Sequence, residues 1–62
     1  MKINTQMELF TASCDAVARR DGGALYDYIN QVNEWFIDEA TRDSLVFSLE
    51  ILIEGITEME EF

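Results

Sequence analysis

The 62 residues carry 13 acidic and 4 basic side chains, for a net charge of −9, with one cysteine and no histidine. Such a balance excludes binding nucleic acid by neutralising phosphates, which needs clustered Lys and Arg, and the inventory excludes an intramolecular disulfide, a Cys/His zinc site and any His-dependent catalytic arrangement. A chain this short buries only about 60% of its unfolded surface and usually needs support from a metal, a disulfide or a second copy; only self-association is left, and the 48% apolar content is generous for a monomer of this size.

The pattern along the chain is helical throughout, with no repeat, no low-complexity segment and no useful strand-like alternation. The first helix is expected over about residues 5–20. Thr5-Gln6-Met7-Glu8 has the spacing of a capping box. Met7, Phe10, Cys14 and Val17 recur at three- and four-residue steps, with Ala18 on the same flank, and read as the inner face. Cys14 is then a small core residue rather than a reactive thiol. Asp15 and Arg19 stand four apart in the acid-first order that favours an ion pair. Asp21-Gly22-Gly23 reads as the break, a glycine taking the left-handed conformation that ends the helix; it lacks the spacing of a phosphate-binding loop.

A second helix is expected over about residues 24–40, with Leu25, Tyr28, Ile29, Val32, Phe36 and Ala40 inward and Asp27, Gln31, Glu34 and Asp38 outward. Tyr26 and Trp35 lie at its edges, where an aromatic serves either the core or a partner as a contact anchor. Thr41-Arg42-Asp43-Ser44 is the expected join, with Thr41 or Asp43 capping a third helix over about residues 43–60. Leu45, Leu49, Leu52, Ile53, Ile56, Met59 and Phe62 share one side of that helix, and Asp43, Glu50, Glu54, Glu58 and Glu61 share the other. Gly55, inside the pattern, points to a close helix approach, a bend or a fraying last turn. The architecture expected is a compact all-α three-helix domain that pairs as a homodimer, whichever function it serves.

Two features of the outer faces bear on function. Carboxylates four residues apart rise about 6 Å along a helix, near the phosphate spacing of a nucleic-acid strand, and they occur as one line on the second helix (Asp27, Glu34, Asp38) and one on the third. Phe47 and Ile51 sit among the acids of the third helix, where a purely solvating face has no use for them. An acidic stripe is drawn to a basic groove built for DNA or RNA, so the expected partner is the basic surface of a nucleic-acid-binding protein, contacted through Asp27, Glu34, Asp38, Asp43, Phe47, Glu50, Ile51, Glu54, Glu58 and Glu61. The alternative is a homodimeric adaptor or chaperone-like module that works through its apolar faces, since apolar groups around most of the third helix suit burial on two sides. Direct nucleic-acid binding, membrane insertion, catalysis, a metal or a cofactor are not expected. The first ten residues lack the pattern of a signal peptide, and the most apolar run is far short of the roughly 20 residues of a membrane span, so a cytoplasmic location is expected. In size, acidity and helicity the chain resembles, as a class and through no particular motif, the inhibitors carried by phages and mobile elements that block CRISPR effectors or restriction enzymes.

Overall fold

The computed structural model describes residues 2–60 as three helices: α1 (Gln6–Ala18), α2 (Gly22–Asn33) and α3 (Glu39–Glu60). Expectations for Glu61 and Phe62 lie outside the described residues. No strand occurs among the described residues, and no helix is long and apolar enough to cross a membrane. The molecule is a thin slab of 38 × 21 × 15 Å, in which α2 and α3 make the principal packing and α1 leans on both.

Thr5 caps α1 as its spacing predicts. Its Oγ1 accepts from Glu8 N at 3.1 Å, while the returning bond runs from the Thr5 hydroxyl to Glu8 Oε1 at 3.3 Å rather than from the cap backbone. Asp15 and Arg19 make the expected ion pair at 2.9 Å. The end of α1 differs from expectation. Arg20, not a glycine, adopts the left-handed conformation (φ 54°), and neither Gly22 nor Gly23 has positive φ. Arg20 N donates to Val17 O at 3.0 Å and Asp21 N to Ala16 O at 2.8 Å, the pair of reversed bonds that closes a helix on a left-handed residue. Asp21 then caps α2, its Oδ1 accepting from Ala24 N at 3.1 Å. The next helix starts so early that both glycines fall inside its first turn.

The second difference is the join. α2 stops at Asn33 and α3 starts at Glu39, so the break is at residues 34–38 and not at 41–44. Asp38 is the cap: its carboxylate accepts from Thr41 N at 3.1 Å and from the Thr41 hydroxyl at 2.7 Å. From the first turn of α3, Arg42 Nη2 donates back to Trp35 O at 2.8 Å and Ile37 O at 3.3 Å. Trp35, Phe36 and Ile37 have low helix propensity, and a cap on one side with a guanidinium holding the freed carbonyls on the other outweighs the helical spacing of their neighbours. Phe36 and Ala40, expected inside, are exposed, Phe36 completely.

The core contains Ile3, Leu9, Ala12, Ala16, Leu25, Tyr28, Val32, Leu49, Ile53 and Ile56. Leu25, Tyr28 and Val32 of α2 and Leu49, Ile53 and Ile56 of α3 are where the periodicity put them; Met59 is exposed at the end of its face. Helix α1 is turned the other way. Leu9, Ala12, Ser13 and Ala16 are buried, whereas Met7, Phe10 and Cys14 face water. The smaller face is the one that lets a helix approach its neighbours closely. Ile3, which precedes every helix, completes the core at 2% exposure, and its N–H donates to Gln31 Oε1 at 2.7 Å. Gln31 is oriented in turn by donating Nε2 to Asp27 Oδ2 at 2.9 Å. Gly55 is neither a close approach nor a stop: a Cβ there would meet nothing within 4 Å, and α3 continues past it to Glu60.

Candidate protein-binding surface

Helix α3 has 22 residues in one piece, about 33 Å at 1.5 Å per residue. Asp43, Glu50, Glu54 and Glu58 are exposed along it, as are Phe47 and Ile51 beside them. None of these four carboxylates makes a hydrogen bond or ion pair with another described residue; the ion pairs among the described residues are those of Arg19 with Asp15 and Asp21. The cations are elsewhere. Lys2 lies on the N-terminal arm, Arg19 and Arg20 at the α1–α2 corner, and Arg42 is half-buried with its guanidinium turned into the α2–α3 join. Glu50 and Glu54, and Glu54 and Glu58, are like charges four apart, a spacing that costs a few tenths of a kcal/mol per pair. Acids in the last turn also oppose the helix dipole, and no base offsets them there. Stability alone does not favour this arrangement.

Tyr26, at the edge of α2, joins this line. With Glu50, Ile53, Glu54 and Thr57 it lines a shallow groove of about 280 Å³ between α2 and α3. The Thr57 hydroxyl donates to Ile53 O at 3.1 Å, so the groove offers acceptors and an aromatic face to a visitor, and the chemistry that fits is a basic side chain.

Asp27, Glu34 and Trp35 come together at a different place. They line a wider hollow of about 680 Å³ with Lys2, Ile3, Asn4 and Gln31, where the N-terminal arm crosses α2. The two acidic lines therefore open into separate depressions. Asp38 belongs to neither, since its carboxylate is engaged with Thr41; those hydrogen bonds, first from the side chain and then from the backbone, hold its pKa below the usual aspartate value. Trp35 is half-buried against the core and Tyr26 is 60% exposed. Glu61 lies outside the described residues.

The exposed apolar residues that sequence reasoning missed are Phe36 in the α2–α3 join, Met59 on α3 and, on α1, Met7 and Phe10. On α1 a second stripe, Leu9, Ala12 and Ala16, was the available signal, but its small side chains make it the weaker of the two by hydrophobicity. Compared with protein-family models, with curated proteins and with solved structures, the chain has no match in any of the three.

Proposed function

We propose that this chain is a small cytoplasmic inhibitor that lays the acidic side of α3, with Tyr26 at its edge, into the basic groove of a nucleic-acid-binding protein and so keeps nucleic acid out. The proposal extends to the phage or mobile-element type of inhibitor, with a CRISPR effector or restriction enzyme as the kind of target. One observation carries the reading: Asp43, Glu50, Glu54 and Glu58 stand on one continuous helix, with no cation among the described residues to neutralise them. A basic groove already shaped for phosphates gains from such a row what it gains from a nucleic-acid strand, and long-range attraction speeds the encounter.

Displacement of a fluorescent DNA or RNA duplex from restriction enzymes and CRISPR effectors tests it. The chain is expected to compete, with affinity falling as salt rises, and the triple variant Glu50→Lys, Glu54→Lys, Glu58→Lys is expected to lose competition. Binding that survives both changes would sink the reading.

The exposure of Phe47 and Ile51, at 62% and 51%, favours a second reading, a homodimeric adaptor or chaperone-like module. Under it Phe47→Asp removes dimer and activity together, while the lysine reversals leave both in place.

A further inference from the structure

Seventeen of the 62 side chains are charged, yet one broad strip of the described surface has none. It runs from Ile51 on α3, across Ser44, Ser48, Gly55, Leu52 and Leu45, over the groove between the helices, to Phe10 and Cys14 on α1. Leu9, Phe10 and Ser13 line that groove from one side and Leu45, Ser48, Leu49 and Leu52 from the other, around about 280 Å³. Ile51 is the border of the strip with the acidic side of α3, on which Glu50 and Glu54 line the α2–α3 groove with Tyr26. Phe10 is 72% exposed and Ile51 51%.

We infer that this α1–α3 strip is the contact between two copies of the chain in a two-fold symmetric dimer. It meets the acidic surface only along Ile51, and the inference does not depend on the function proposed above.

Four observations favour a second copy over another occupant. The strip is self-complementary, since an exposed aromatic, Phe10, stands on the bank of an apolar groove; a two-fold axis lets each copy's Phe10 enter the other's groove, the reciprocal contact that an isologous interface requires. Helix α1 is lightly held in the monomer, because three of its four buried residues, Ala12, Ser13 and Ala16, are small. Met7 and Phe10 face outward, leaving Leu9 as its one large buried side chain, and a chain of this size is short of core. Two copies at −9 each repel, and this uncharged strip lets them meet without opposing carboxylates. Finally, Gly55 costs helix stability relative to alanine, and nothing in its own chain occupies the space above it; a second helix approaching closely gives it a use.

The groove adds a polar detail. Ser13 lines the floor of the groove at 5% exposure, its hydroxyl buried with no hydrogen-bond partner among the described residues. The area suffices for a reversible dimer. A helix pair about 20 Å wide over the roughly 20 Å of α1 covers about 400 Å² per copy, about 800 Å² over two, the size of a weak and readily reversible contact.

Sedimentation equilibrium from micromolar to millimolar concentration tests the inference. The expected result is a monomer–dimer equilibrium that tightens as salt is added, opposite in sign to the salt effect on a basic partner. Phe10→Glu and Ile51→Glu, both at exposed positions, should each weaken the dimer at least ~30-fold, while Tyr26→Glu on the acidic flank leaves it within about 3-fold. A monomer at millimolar concentration overturns the inference, as does a dimer indifferent to both strip variants. Isotope-filtered NOEs between labelled and unlabelled wild-type chains locate the contact directly, even if a variant fails to fold. Contacts reaching Phe10 and Ile51 support the interface, and contacts confined to Tyr26 and Trp35 overturn it.

Discussion

Helices α1 and α3 both carry apolar residues on more than one side, and they resolve the ambiguity in opposite directions. On α3 the strongest apolar side, Leu49, Ile53 and Ile56, faces the core. On α1 the strongest, Met7 and Phe10, faces water, and alanines and a serine go inward. The difference lies in what flanks each stripe. Carboxylates line the back of α3, and burying an unpaired charge costs far more than exposing a phenylalanine, so only one rotation of α3 is open. The charges of α1, Glu8, Asp15 and Arg19, sit at one flank and remain in solvent whichever apolar stripe turns inward. Closeness of packing then decides, and small side chains pack closest.

The sharpest break in this comparison is between truncations of similar size on the two sides. Leu49→Ala on α3, at a position 2% exposed, should cost about 3 kcal/mol, a large share of the stability of so small a domain. Phe10→Ala, measured by urea denaturation at concentrations where the chain is monomeric, should stay within about 0.5 kcal/mol. Equal losses would mean that Phe10 is part of the monomer core and would return α1 to the orientation its periodicity suggests.

A smaller effect is expected where α3 is fixed to the rest. Arg42→Met removes the hydrogen bonds to Trp35 O and Ile37 O, and charge-assisted bonds of this kind are worth about 2 kcal/mol. Both bonds come from one nitrogen, Nη2, so lysine at the same position, with three donors on a single ammonium, should restore part of the loss. Thermal unfolding of both variants, with exchange of the Trp35 indole resonance as a local reporter, checks this. No comparable clamp holds α1 among the described residues, so an equivalent change at Arg20 should leave the join undisturbed.

The smallest effect concerns pH. Asp38 has its pKa lowered in the folded chain from an ordinary value of 3.8, so its stabilising contribution is complete above about pH 4 and is lost as pH falls through the lowered folded value. Protection of the Thr41 amide against hydrogen exchange should fall over that acidic window, and Asp38→Asn should remove the dependence.

By itself the sequence determined that the chain is helical, that there are three helices, that Thr5 begins the first, and that α2 and α3 meet through Leu25, Val32, Leu49, Ile53 and Ile56. Periodicity sufficed there because a charged back leaves one face to bury. It also set the exposure of Asp43, Phe47, Glu50, Ile51, Glu54 and Glu58 on one helix, the observation on which the proposed function rests. Only the tertiary structure decided three things. The arm residue Ile3 enters the core, which three residues of sequence have no period to announce. The α2–α3 join falls at residues 34–38, because Asp38 and Arg42 satisfy backbone groups that spacing does not count. And α1 presents Met7, Phe10 and Cys14 to solvent, since the choice between two uncharged faces depends on how closely the neighbouring helices can approach, which no single helix encodes.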